Sequence, residues 1–285
     1  MNRLLLFLAV LIFTSCEKEV SFNFEHEPKL CLNCILNPDS IVIANLTLSK
    51  KLDNSDDFAP VENAVVTLYE DDVLWGNLKA VGNGNYKLTQ NPINGRKYKI
   101  VAETVGYEQV KATTIVPIAP EIIYSKDTTG HSKYNERILY NLNVEMIDKP
   151  GNDYYWLFET HIVNSVMYGG GCHAINAPFV DTFNRSIDSE AKYGFTHFLQ
   201  IRISDEGYDG QVLSFIIPDF VERDEYTAQH FLNADEHYDK YIKTTIINKM
   251  KEDSELPFYE PIQIYSNIEN GYGIFGSCAI TTVKL

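Results

Sequence analysis

The residues of this chain that could do chemistry are its seven histidines, one glycine run, several carboxylate clusters and five cysteines. Their spacing excludes more than it assigns. His161, His173 and His197 could converge in a fold. None lies at the i, i+4 spacing that sets two imidazoles on one helix face for a metal, so they read as surface or hydrogen-bonded histidines. His230 and His237 are seven apart and flank the start of an expected helix. Gly169-Gly170-Gly171 has the composition of an oxyanion or phosphate loop, but no capped helix follows it, and it reads as a hairpin or loop. Asp205-Glu206-Gly207-Tyr208-Asp209-Gly210 offers oxygen ligands and turn glycines suited to Ca²⁺. It lacks the spacing of an EF-hand loop and reads as a solvated hairpin tip, and Asp53 to Asp57 is a weaker case. A Gly-x-Ser-x-Gly elbow, a His-Glu-x-x-His pair, a P-loop and a dinucleotide fingerprint are all absent. The expectation is therefore a protein that is not an enzyme, with no catalytic residue, no metal and no cofactor.

The cysteines divide by position. Residues 4–13 are almost wholly apolar behind Arg3, and Thr14-Ser15-Cys16 follows at once. A run of about ten apolar residues cannot cross a bilayer core, which needs about twenty, but it fits the h-region of a secretory signal. With Cys16 at the cleavage point it resembles a bacterial lipobox, with Phe13 where Leu is usual. That resemblance implies removal of residues 1–15, acylation of Cys16, and a chain anchored to the membrane rather than spanning it. Glu17 and Glu19 loosely fit a surface-export signal of such lipoproteins. Cys31 and Cys34 sit in an expected strand, where residues three apart point to opposite faces, so a local bridge would need a bent backbone. In an exported protein, Cys172 and Cys278 are left as buried thiols or as a single long-range disulfide.

The formal charge of −15 repels phosphate backbones, which argues against nucleic acid as a partner. The charge is uneven. Residues 29–118 carry 9 Lys and Arg against 10 Asp and Glu, whereas residues 119–285 carry 13 against 25. This asymmetry and the length predict two domains, 29–118 and 119–285, behind a tether at 16–28. The acidic surface of the second reads as a solvated face rather than a cation site.

The elements that must position these residues are strands. Val42, Ala44, Leu46 and Leu48 alternate with polar neighbours, as do Ala64, Val66 and Leu68, and Tyr98, Ile100 and Ala102. Gly82-Asn83-Gly84-Asn85 marks a turn, and a further strand runs to Val116. The second half continues with strands at 138–146, 154–163, 195–204 and 211–217. One amphipathic helix is expected at about 234–251, where Tyr238, Tyr241, Ile242, Thr245 and Ile246 recur at helical spacing. Asn233 with Glu236 would form its capping box, and Asp235, Glu236 and Asp239 match the macrodipole. The predicted fold is mainly β: a two-domain antiparallel β-sandwich protein with that helix in the C-terminal domain.

Two resemblances follow from particular residues. Val61-Glu62-Asn63-Ala64-Val65-Val66-Thr67-Leu68-Tyr69, Gly84-Asn85-Tyr86, Gly95-Arg96-Lys97-Tyr98 and Gly106-Tyr107-Glu108 resemble the carboxypeptidase regulatory-like sandwich, a transthyretin-like, non-catalytic module. The closing run from Pro257 through Tyr265, Asn267, Gly271, Tyr272 and Gly273 to Gly276 resembles domain-of-unknown-function family 4249, lipoproteins of the Bacteroidota. The likeness extends to Glu27-Pro28-Lys29-Leu30 and Leu36-Asn37-Pro38-Asp39-Ser40, with Cys34 where that family more often has Gly. It implies an outer-membrane lipoprotein, often encoded beside a TonB-dependent receptor. That receptor is expected to be contacted through the second domain, at the helix and the Tyr265–Gly276 segment, where Asn267, Gly271, Gly273 and Gly276 suggest tight turns that hold a rigid loop. The alternative for that segment is that it closes the second sheet. The expected role is an accessory or binding protein on the cell surface with an unknown ligand. The rivals are a structural or adhesion-like envelope protein, and an envelope-polymer hydrolase using carboxylates of the second domain.

Overall fold

The computed structural model describes residues 26–51, 56–131, 138–163, 166–170, 175, 177–181, 200–221, 225–252 and 262–285. The signal at 1–15, Cys16, residues 17–25 of the tether, Cys172, His173 and His197 lie outside the described residues.

The chain is mainly β, with large sheets and, among the described residues, a single helix near the C-terminus. The first half forms β1 (Leu30–Leu36), β2 (Val42–Leu48), β3 (Val65–Glu70), β4 (Val73–Gly82), β5 (Asn85–Leu88), β6 (Lys97–Glu103) and β7 (Val110–Ile115). Period-two alternation dictates the burial. Leu30, Leu32, Cys34 and Leu36 of β1 and Val42, Ala44 and Leu46 of β2 all enter one core with Val66, Leu68, Tyr98 and Ile100. Each such Leu contributes roughly 1.5–3 kcal/mol by leaving water. Buried tyrosines keep their hydroxyls bonded, as such groups must. Tyr86 donates to the Val61 carbonyl at 2.7 Å, and Tyr98 donates to Glu70 at 2.6 Å. Between β1 and β2, Asn37 forms an Asx-type turn, its side chain accepting the Asp39 N–H at 2.9 Å.

The second half adds β8 (Glu121–His131), β9 (Ile138–Ile147), β10 (Tyr154–Val163), β11 (Val166–Gly170), β12 (Ile201–Ser204), β13 (Val212–Val221), β14 (Glu225–Ala234), α1 (Glu236–Glu252) and β15 (Tyr272–Lys284). The larger sheet runs β11-β10-β14-β15-β1-β2-β5-β4-β3-β6-β7, with β12 also on β10, and a three-stranded sheet runs β13-β9-β8. Among the described residues, every ladder is antiparallel except that of β1 with β15, where Cys31 faces Tyr272 and Asn33 faces Ile274. The last strand is thus hydrogen-bonded to the first. The three-stranded sheet covers one face of the larger sheet, burying Tyr140, Leu142 and Val144 with Tyr155, Leu157 and Phe231. The other face, carrying Trp156, Leu232, Ala234 and Cys278, is covered by Ile242 of α1.

The helix begins at Glu236, two residues later than its capping signal suggested. Strand β14 continues through Ala234, so Asn233 remains a sheet residue paired with Ala279, and Asp235 becomes the cap. Its Oδ1 accepts the Tyr238 N–H at 3.0 Å. The Asn233 amide instead donates to the Ile118 carbonyl and to Asp153.

Candidate functional site

The seam where the first and last strands meet is built from close backbone approach. Gly273 has φ +110°, and a Cβ there would stand 2.1 Å from the Leu32 carbonyl oxygen, so only glycine lets β15 lie against β1. A Cβ on Gly276 would meet the Cβ of Tyr238 at 2.8 Å, so this glycine seats α1 on the sheet. Asp235 ties three elements together. It accepts the Ser277 N–H at 2.9 Å and the Thr114 hydroxyl at 2.8 Å, while Ser277 Oγ donates to the Ile115 carbonyl. Burial pushes the Asp235 carboxyl above its ordinary value. The glycines of the closing run therefore serve packing against β1 and α1.

The segment leading into β15 is held along the helix. Asn267 accepts the Phe275 N–H at 2.9 Å and donates to the Phe275 carbonyl at 2.8 Å, as a neighbouring strand would. The Tyr265 N–H donates to Thr244 Oγ1 at 2.9 Å, and the Tyr265 hydroxyl lies 2.7 Å from His237 Nδ1. Lys240 sits over the Tyr265 ring and pairs with Glu236, which holds that carboxyl below its ordinary value.

Between this segment and β2 lies a groove of about 500 Å³. Its floor is the side of β1 and β2 that faces away from the core: Cys31 opposite Thr47, and Asn33 opposite Asn45. Tyr241 of α1, residues 263–266 and Tyr272 line the β15 side. Phe58 lines the β2 side, where Pro60 bridges to Thr47. Phe58, Ile264 and Tyr272 are exposed. Among the described residues, no Asp, Glu, Lys or Arg lines the groove. This is an aromatic and amide surface held open by fixed neighbours, the kind of concavity that binds ligands.

The second half also buries charge that sequence reasoning missed. Arg202, on β12, donates from Nε to Asp239 at 2.7 Å and also pairs with Asp181. Trp156 Nε1 donates to the same Asp239 at 3.0 Å. Burial works against the Arg202 charge, but the two carboxylates outweigh it and hold its pKa above the ordinary value. Asp239 thus lies in the first turn of α1, as its match to the helix dipole led one to expect, and it also anchors α1 to the sheet. The one available signal was an acid at a helix position that also faced the sheet. Deeper between the sheets, Tyr140 donates to Asp219 at 2.5 Å, and Gln229 donates to Glu159 at 2.6 Å. His161 Nε2 lies 2.6 Å from the fully buried Glu159 carboxylate.

The remaining candidates separate. His230 stacks on Phe158 at 4.6 Å and lies 2.8 Å from Thr160 Oγ1 and 3.0 Å from Thr282 Oγ1, a satisfied structural histidine. Gly169 and Gly170 pair with Thr160 and His161's neighbour Glu159 as strand residues of β11. The 205–210 loop is a crossing between sheets rather than a hairpin tip, because β12 pairs with β10 and β13 with β9. It brings Asp148, Asp205 and Asp209 together, with ligand atoms all within 4.8 Å of one another. Those three could hold a divalent cation. Each already accepts a backbone N–H: Asp148 from Gly210, Asp205 from Asp153 and Asp209 from Gly151. Burial also raises the Asp205 carboxyl above its ordinary value. Cys31 and Cys34 are free thiols on opposite faces of β1, and burial pushes Cys34 up to about 12. Cys278 is buried under α1 and likewise pushed up to about 12, while its expected disulfide partner Cys172 lies outside the described residues.

These features define a class first: a mainly β chain whose single described helix is locked onto a large sheet beside an open groove. The family model for a domain of unknown function, DUF4249, matches residues 17–284, and the chain belongs to that family. No curated protein matches it significantly.

Proposed function

We propose that this chain is a lipid-anchored binding protein of the outer membrane, without catalytic activity, whose recognition site is the groove over β1 and β2. It works as an accessory to a TonB-dependent receptor. The observation that carries this reading is the groove itself, formed where the first hairpin, α1 and the segment into β15 meet. Its lining is preorganised by the Asn267 and Tyr265 hydrogen bonds, which lowers the ordering cost of binding. Cys16 behind an apolar leader supports the anchor, and no helix among the described residues is long and apolar enough to cross a membrane. The hydrolase alternative has no comparable support, because the buried carboxylates are engaged in internal hydrogen bonds.

Two experiments test this reading. A photo-crosslinking side chain at Tyr272 should capture a discrete envelope component in intact membranes, whereas the same group at Val73, which is 68% exposed on β4 and does not line the groove, should not. Equal or absent capture at both positions would count against the groove. Cys16→Ala should abolish palmitate labelling and release the chain from membranes, and retained labelling would sink the anchor.

A further inference from the structure

The lining of the groove narrows the chemistry of what it takes. Resting on the reading of the groove as the recognition site, we infer that its ligand is a neutral oligosaccharide. Three observations converge. The first is charge: among the described residues no Asp, Glu, Lys or Arg lines the groove of a chain that carries −15 overall, and the two lysines beside its rings are already engaged, Lys50 with the Asp56 carbonyl and Lys240 with Glu236, so a charged ligand finds no uncommitted counter-charge there. The second is hydrogen bonding. The Asn33 and Gln263 amides and the Thr47, Tyr241 and Tyr272 hydroxyls make no side-chain hydrogen bond to any described residue. An acyl chain or other purely apolar ligand would cover these groups without pairing them, which costs binding energy. A polyhydroxylated chain pairs them as both donor and acceptor.

The third observation is the rings. Phe58 and Tyr265 each carry a lysine over one face, Lys50 at 4.8 Å and Lys240 at 5.7 Å. Tyr241 and Tyr272 have no described aromatic or cationic partner, which leaves them to stack on the apolar C–H face of a pyranose. An extended peptide fits less well. It would bind by adding a strand, yet β1 is already paired by β15 and β2, and β2 by β1 and β5, so the floor presents side chains and no free edge.

The test uses the full-length chain purified in a detergent without a sugar headgroup, titrated calorimetrically with defined probes. These are linear hexasaccharides of β-1,4-glucose, β-1,4-xylose, β-1,4-mannose and α-1,4-glucose, an oligogalacturonate as the acidic comparison, and hexaglycine. At least one neutral hexasaccharide should bind with a Kd below about 1 mM. Tyr272→Ala and Tyr241→Ala should each weaken it by about tenfold or more, while Tyr272→Phe keeps most of the affinity. Tyr226→Ala, an exposed tyrosine of β14, should change nothing. Binding confined to oligogalacturonate or hexaglycine would overturn the inference. So would no binding by protein whose circular dichroism is native, or binding that both alanine variants leave intact. Persisting capture at Tyr272 in membranes would then show that the oligosaccharide class had failed and the groove had not; loss of both would remove the groove as well.

Discussion

Among the described residues of 29–118, the one buried polar side chain besides the tyrosines is Thr114, and it points out of that half toward Asp235 and Ser277. In residues 119–285 the interior holds Asp148, Glu159, Arg202, Asp219, Gln229, Asn233 and Asp239. The first half is held mainly by apolar alternation, with the Tyr86 and Tyr98 hydroxyls hydrogen-bonded at its edge. The second replaces part of its core by paired charges and buried amides, which contribute little net energy when satisfied but tolerate no loose partner. That difference has a spatial consequence. The Arg202–Asp239–Trp156 contacts fix where α1 sits, and α1 with the segment beside it forms one side of the groove. The smoothly packed half supplies the floor, and the half rich in buried charge supplies the wall.

The contrast can be broken most severely at Asp239. Asp239→Ala strands the Arg202 guanidinium in the interior with one carboxylate fewer, and should cost about 3–5 kcal/mol in urea unfolding. On the first half, Arg96→Ala removes an exposed ion pair with Asp71 and should leave the unfolding midpoint unchanged. A comparable loss from both changes would erase the distinction. Gly273→Ala comes next. Its added methyl meets the Leu32 carbonyl in a backbone region that L-residues avoid, and the cost should be about 3 kcal/mol. Loss of cooperativity between the halves, read as two separate thermal transitions, would sharpen the role of this seam. Thr114→Val removes one hydrogen bond from buried Asp235 and should cost about 1–2 kcal/mol.

The smallest effect is in pH. Burial raises Asp235 in the folded chain above its unfolded value, so between those two values the native state binds more protons than the unfolded state. Stability from this group therefore rises as pH falls toward the ordinary carboxylate range near about 4, and is lost as pH rises through the folded pKa. Asp235→Asn lacks this dependence. The stability difference between wild type and variant should shift in favour of wild type from pH 7 to pH 5, measured by urea midpoints, and a shift the other way would contradict the assignment. His230 works oppositely: burial lowers its pKa, so its contribution is lost as pH falls below about 6.5.

The legible parts of the fold were those where one face is buried and the other wet. Val42, Ala44 and Leu46, or Tyr140, Leu142, Val144 and Met146, alternate in sequence because they alternate in space. Strand β8 was not legible, since nearly all of its residues are exposed and no apolar period marks it. Strand β14 hid for the opposite reason, because it buries Thr227, Gln229 and Asn233 alongside Phe231 and Leu232. The polar side chains there are satisfied by partners far away in the chain, as Gln229 is by Glu159, and no local pattern carries that. The groove was half visible. Tyr265 and Tyr272 stood out in the closing run, and α1 was placed beside them, but Cys31, Asn33, Asn45 and Thr47 read only as the polar side of a hairpin. The parallel pairing of β1 with β15, which brings the two sets together, has no sequence signature of its own.

A groove that recognises a ligand behaves differently from a furrow left by packing. The two are told apart by placing the photo-crosslinker at Gln263, on the groove's exposed rim, and comparing capture in intact membranes with and without Tyr272→Ala. Tyr272 is 47% exposed, so its loss should leave the melting temperature unchanged. The capture yield should fall about tenfold at equal protein level and equal melting temperature. An undiminished yield from the folded variant would contradict recognition by the groove.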